Sequence, residues 1–504
     1  MDLNLTLPEY SLRLMAPEIF LFIWALVVIA YDLTTGRQQE SGTGYVALLG
    51  LIITGAILAV TEYGTGFGKM FVSEPVALFF KIIFLGAAFM AIGSSFGLIK
   101  DRIVAHRGEY FGLILFSTCG MMFLASAEEL LQLWIGLELT TIPLFILAAF
   151  YKEDRVSIEA GIKYFVVGAF SSAMLLYGMS FLYGLSGTTE LAAMKMNLLT
   201  MYQSLGTLGL IFIVAIVALL AGIGFKLGLP PFHQWVPDVY EGAPTPVAAF
   251  LSVGSKGAGL IAFAKIFLAG LSGFWGISTI PLDWGYLTGI IAAAALIYGN
   301  VVAIRQTNIK RMLGYSSIAQ AGYIMIGMVA INVHGLSSVG FYIFAYLFAN
   351  MGAFAIVAAV EDRIGSTQIA AYRGLSTSAP GLSITFSAFL LSLAGIPPLA
   401  GFMAKYKVFA AAISAAGDDP ANQWLYWLVG IGLITSVFSL YYYANVIKQM
   451  YFWPEPSEHK IKLTFPSAVV IGLGLVGVIA FGLYAEPVLD FAGRFASVYG
   501  LLPH

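Results

Sequence analysis

Apolar stretches of about twenty residues recur along the whole chain, separated by short polar connectors. A helix needs about that many apolar residues to cross a bilayer. Windows of that length fall near 15–32, 43–62, 75–96, 109–126, 128–150, 158–184, 206–226, 244–269, 284–304, 310–331, 335–360, 380–414, 424–447 and 465–485. None shows the short alternating pattern of barrel strands. The connectors leave no room for a soluble domain. The pattern predicts an all-α polytopic membrane protein with about fourteen transmembrane helices.

Composition agrees. Of 504 residues, 59% are hydrophobic and 10% charged, and the mean hydropathy is +0.88. Soluble domains hold about 25% charged residues, and a chain this apolar would aggregate in water. The N-terminal stretch has Asp2, Glu9 and Glu18 with Arg13 as the one early base. That is not the basic start of a cleaved signal, so the first apolar segment is expected to stay as a helix. A net charge of −2 points away from nucleic acid as a partner. The single cysteine, Cys119, lies in an apolar segment. One thiol makes no internal disulfide, structural zinc or iron–sulfur site, and it reads as a buried core residue.

Alternate connectors differ in Lys and Arg content. One set holds fourteen: Arg37, Lys100, Arg102, Arg107, Lys152, Arg155, Arg305, Lys310, Arg311, Arg363, Arg373, Lys448, Lys460 and Lys462. The other holds four: Arg13, Lys69, Lys195 and Arg494. Basic connectors stay on the cytoplasmic side, so fourteen crossings put both termini on the outer side. The remaining seven bases are Lys81, Lys163, Lys226, Lys256, Lys265, Lys405 and Lys407, within or beside apolar segments.

A charged lysine at mid-bilayer costs about 2.5–3.5 kcal/mol on insertion scales. It must pair, reach a watered cavity or give up its proton. Burial disfavours an ammonium and a nearby carboxylate favours it, so a lysine–glutamate pair that opens and closes is a device for proton uptake and release. Lys226 follows an apolar run and precedes Pro230-Pro231; Lys405 follows Pro397-Pro398. Proline removes a backbone donor and frees carbonyls for water or side chains, which makes a hydrated site of each break. The two diprolines are 167 residues apart. Broken helices at matching places in two halves mark inverted-repeat transporters and their transport sites. Lys256 sits deep in its segment beside Ser252 and Ser255, too far in to snorkel. Glu138 is near the middle of "LLQLWIGLELTTIPLFILAAF" and calls for a lysine partner. Lys163 lies close to a basic connector and Lys81 within the third segment. Lys265 and Lys407 read as snorkelling or lining residues. Glu128 and Glu129 read as a solvated face, and Asp238 and Glu241 as connector charges or site members. His233, two residues past the break, is a structural histidine or a proton relay beside Lys226, its ordinary pKa being near neutral. The other histidines form no metal spacing. "GLGLVG" (Gly472 to Gly477) matches a dinucleotide fingerprint, but it lies in an apolar span with no preceding strand.

"FKLGLPPFHQWVPDVYEGAPTPVAAFLSVGSK", "IKRMLGYSSIAQAGY" and "LAGIPPLAGFMAKYKVF" resemble the antiporter-like membrane subunits of respiratory complex I, the NADH:quinone oxidoreductase. The likeness covers essentially the whole chain, and "VPDVYEGAPTPV" and "FLSVGSK" are similar to the N-type (chain 2) branch. The resemblance implies fourteen helices with two inverted five-helix repeats, broken at helices 7 and 12. It divides the chain into three leading helices (1–108), a first repeat (109–270, helices 4–8), a second repeat (284–450, helices 9–13) and a last helix with a tail (463–504). It assigns proton transfer to Glu138 of helix 5, Lys163 of helix 6, Lys226 and His233 at the helix 7 break, Lys256 of helix 8 and Lys405 of helix 12. The M-type branch has glutamate where Lys405 stands, and the L-type continues into a long lateral helix. The three leading helices fit a bacterial or plastid-type member.

The implied activity is proton translocation driven by quinone reduction in other subunits. No cofactor is expected in this chain; FMN and iron–sulfur clusters belong to other subunits, and the quinone is not bound here. The implied partners are membrane-arm subunits, including M-type and small K-type ones, in a bacterial inner membrane. Two alternatives share the fold: a subunit of a multi-subunit Na+/H+ antiporter, and a spacer whose polar row is idle.

Overall fold

The computed structural model describes residues 9–35, 42–98, 106–275, 283–453 and 461–498. Arg37, Lys100, Arg102, His459, Lys460 and His504 lie outside them. Among the described residues, thirteen helices are long and apolar enough to cross a membrane. A fourteenth crossing is built from two shorter pieces. We number the spans α1 (Ala16–Thr35), α2 (Gly42–Val60), α3 (Pro75–Ser94), α4 (Arg107–Ala125), α5 (Leu130–Ala148), α6 (Arg155–Ser186) and α7 (Gly209–Leu227). They continue with α8 (Thr245–Gly270), α9 (Trp284–Ala303), α10 (Ile309–Val329), α11 (Val333–Ile364), α12 (Pro380–Ala394 with Ala400–Asp418), α13 (Trp424–Phe452) and α14 (Phe465–Leu483). The fourteen apolar windows map onto these one to one.

Burial sorts the spans. Helices α8 and α10 are enclosed on all sides, whereas α1 and α13 keep most of their surface outward. An evenly apolar helix has no preferred face, so small residues decide where backbones meet. Gly120 of α4 is such a point: a Cβ there would stand 2.5 Å from the Thr140 backbone nitrogen of α5.

The two breaks share one construction. At the end of α7, Gly228 adopts φ +68°, and the Leu229 N–H turns back to the Gly224 carbonyl at 2.8 Å. At the end of the first piece of α12, Gly395 adopts φ +91°, and the Ile396 N–H reaches the Leu391 carbonyl at 3.0 Å. Such left-handed caps suit glycine. A cis prolyl bond follows each, Pro230-Pro231 and Pro397-Pro398. After the first, the chain resumes as a short helix, Trp235–Gly242. Each broken helix is the fourth of five, in α4–α8 and in α9–α13. Five is odd, so the second set begins on the opposite face from the first.

Three features depart from the sequence reading. The connector between α6 and α7 contains a helix, Leu191–Leu205, and that between α2 and α3 contains a two-stranded hairpin, Gly64–Gly66 with Phe71–Ser73. Both are too short and too mixed in composition to show in a search for apolar runs of membrane length. Helix α8 is interrupted by two π-helical stretches, Leu251–Ser255 and Ala264–Gly270. Its glycines and small side chains impose little on backbone geometry, and π-turns concentrate at functional sites.

Candidate functional site: a buried row of lysines

Lys226, Lys256 and Lys405 are each 3–4% exposed. Among the described residues no carboxylate stands within ion-pair distance of any of them; each meets neutral oxygens. Lys226, at the end of α7, donates to the Thr141 hydroxyl of α5. Lys256, directly after the first π stretch, donates to the carbonyl and, at 2.7 Å, the hydroxyl of Ser317 in α10. It lies 5.5 Å from the centre of the Tyr346 ring. Lys405, in the second piece of α12, donates to the Ala394 carbonyl at 2.8 Å and the Ser436 hydroxyl at 3.0 Å, with the Tyr323 ring 4.5 Å away.

The breaks explain these partners. Ending a helix frees its last carbonyls. At α12, the Leu393 carbonyl accepts from Gln320 Nε2 at 3.1 Å and that of Ala394 from Lys405. At α7, the Phe225 carbonyl accepts from the Gly228 N–H at 3.0 Å and from Trp235 Nε1 at 3.2 Å, and Lys226 turns to α5 instead. Glu138 lies one helical turn before Thr141 on the same face of α5. Its carboxylate accepts from Ser172 of α6. The expected Glu138–Lys226 pair is therefore open, one turn apart, with a hydroxyl on each member.

The other candidates separate from this row. Lys163 pairs with Glu159 at 2.7 Å and Asp238 at 2.6 Å. Arg311 bridges Asp238 and Glu241, both at 2.7 Å. These charges clasp the helix after the first break between α6 and α10, on the face with the basic connectors. Burial acts to raise the Asp238 carboxyl, but hydrogen bonds from Lys163 and Arg311 outweigh it and hold it below the usual carboxylate range. His233 packs edge-on against Tyr298, ring centres 4.4 Å apart, and no hydrogen bond joins it to Lys226 among the described residues. Lys407 lies 3.8 Å from Glu486. Lys265 is not a snorkelling residue: it is buried between Glu74 and Glu128, which also removes Glu128 from a purely solvated face. Lys81 forms a dry ion pair with Glu18 at 2.6 Å.

A family profile described as "NADH:quinone oxidoreductase/Mrp antiporter, TM" matches residues 127–439. The chain is 40% identical to NADH-quinone oxidoreductase subunit N of Desulforamulus reducens, over 97% of this chain and 99% of that one. The chain belongs to the subunit N family of NADH-quinone oxidoreductases. A second relative is F(420)H(2) dehydrogenase subunit N of Methanosarcina mazei, 36% identical over 96% of this chain and 98% of that one. The fold also matches a chain of Thermus thermophilus respiratory complex I, solved with bound aureothin: TM-score 0.76, 29% identity, covering 95% of this chain and 99% of that chain.

This subunit N family member also holds polar residues that sequence reasoning missed. Ser316, beside Ser317, bonds the Tyr443 hydroxyl, and the Tyr443 ring packs against that of Tyr442, centres 4.4 Å apart. Tyr442 donates to Asn300 Oδ1 at 3.2 Å, and Asn300 Nδ2 lies 3.5 Å from the Tyr323 hydroxyl. Side chains of α9, α10 and α13 thus place polar groups between Lys256 and Lys405. The signal was present in "SLYYYANVIK", inside an apolar span: buried tyrosine hydroxyls need partners. A void of about 10 Å³ beside Gln320, Tyr342, Tyr346 and Ser392 is close to the room one water needs.

Proposed function

We propose that this subunit moves protons across the membrane within an NADH:quinone oxidoreductase, driven by quinone reduction in other subunits. Glu138 and Lys226 form the switching pair of the first half, Lys256 the relay between halves, and Lys405 the release group of the second. Lys163 supplies the pair from the basic face and His233 lines the first break. The observation that carries this reading is the row of three deeply buried lysines, each held by neutral oxygens. An ammonium that closes on a carboxylate is stabilised; parting them favours passing the proton on. In this reading the chain holds no redox centre, with FMN and iron–sulfur clusters in other subunits and the quinone bound elsewhere. Its neighbours are M-type and small K-type membrane-arm subunits in a bacterial inner membrane, and both its termini face outward. Relatives named for NADH and for F(420)H(2) dehydrogenases support leaving the choice of electron donor to the peripheral arm.

The test measures protons translocated per quinone reduced in vesicles carrying the assembled complex. Lys226→Ala and Glu138→Ala are each expected to cut translocation while assembly persists. Normal translocation with normal assembly would reject the reading. Translocation that follows an imposed sodium gradient, without quinone reduction, would favour the antiporter alternative.

A further inference from the structure

Two charged clusters lie outside the Lys226–Lys256–Lys405 row, toward the face opposite the basic connectors. Lys81 of α3 and Glu18 of α1 are 2% and 1% exposed. That pair is sealed at both ends. The second cluster is different. Lys265 is 1% exposed, while its partners Glu74, 3.2 Å away, and Glu128 keep 14% and 29% exposure. It runs from a buried ammonium to carboxylates with exposed surface.

Lys265 shares α8 with Lys256, nine residues further on, about 13 Å along a helix rising ~1.5 Å per residue. It stands in the second π stretch, as Lys256 stands at the end of the first. Glu74 is the residue immediately before α3, and its side chain makes no capping hydrogen bond to that helix. Glu128 is fixed by its backbone: its N–H donates to the Met70 carbonyl at 2.9 Å, and its carbonyl accepts from Leu191 N–H at 3.1 Å. The hairpin and the Leu191–Leu205 helix thus hold the carboxylate at the mouth of the cluster.

We propose that Lys265, Glu74 and Glu128 form a proton outlet from the first half of the subunit to the face opposite the basic connectors, additional to the route through Lys405. The outlet rests on the proposed function. An N–H bond of the Lys265 ammonium breaks and an O–H bond forms on Glu128, leaving a neutral amine and a neutral acid. The acid releases that proton to water at the mouth. The amine takes the next proton from the Lys256 side, and the ion pair is restored with one proton moved.

The test uses the assembled complex in membrane vesicles and reads protons translocated per quinone reduced. Lys265→Arg keeps both ion pairs but does not deprotonate. It is expected to assemble and to lose part of its translocation, less than Lys256→Met, which also cuts the route through Lys405. Normal translocation in Lys265→Arg overturns the outlet and leaves the cluster as a staple. If that variant does not assemble, Glu128→Gln carries the test, since Glu74 still pairs Lys265. Loss of translocation in the assembled variant supports the outlet; retention overturns it, and so does failure of both variants to assemble. The double variant Lys81→Met with Glu18→Gln is expected to translocate like the wild type, and an equal loss there would overturn the distinction between sealed and wet clusters. Normal translocation in Lys256→Met would overturn the parent reading and the outlet with it.

Discussion

At the scale of single residues, the site is governed by which oxygen each cation finds. The central lysines find hydroxyls and carbonyls; Lys163, Arg311 and Lys265 find carboxylates. Asp238 offers a direct measurement. Its carboxyl lies below the usual range because the bonds from Lys163 and Arg311 outweigh burial. Stability from a depressed carboxyl is fully present above the unfolded value, about 3.9, and is lost as pH falls through the lower folded value. Asp238→Asn is therefore expected to lower the Tm of the solubilised complex at neutral pH, with the gap to wild type closing in acid below about pH 4. A gap independent of pH would show that the clasp does not depend on this charge. The sequence made Lys226, Lys256, Lys405 and Glu138 legible because charge in an apolar span is costly whatever the fold. It could not assign Lys265 or Asp238, because their partners, Glu74 and Glu128 for one and Lys163 and Arg311 for the other, are distant in sequence and only the folded chain brings them near.

At the scale of elements, the breaks place the chemistry. Proline and glycine spacing made both visible in the sequence, since their backbone limits are local. The π stretches of α8 were not legible: they reflect packing on all sides of a helix whose residues also suit a plain α-helix. The second break is also tightly packed. A Cβ on Gly401 would stand 1.8 Å from the Ser392 carbonyl oxygen, and backbone does not give way as a side chain does. Gly401→Val is expected to cost at least the ~1–3 kcal/mol typical of overpacking and to reduce the amount of assembled subunit in the membrane, read by quantitative blotting of the intact complex. Wild-type amounts would mean that the two pieces of α12 can move apart without loss.

At the scale of the whole molecule, the bias of Lys and Arg toward one set of connectors was readable from the chain alone, because it depends on counting and not on contacts. It yields a topology test. Cys119 is buried, so a membrane-impermeant thiol reagent meets little background. Ser204→Cys, in the short helix before α7, is expected to label in intact cells, and Glu153→Cys, between α5 and α6, only after lysis. The reverse pattern would invert the orientation proposed for the chain. The same scale exposes a difference between the halves. Applying the 167-residue spacing of the diprolines places Leu393 opposite Lys226 and Asp238 opposite Lys405. The backbone of each break is repeated, but its ionisable groups are not. A two-fold conduit with matched charges would pass current equally in either direction. Here one half presents its cation before the break and the other after it, so under the proposed function a preferred direction of flow would come from the side chains and not from the repeated backbone.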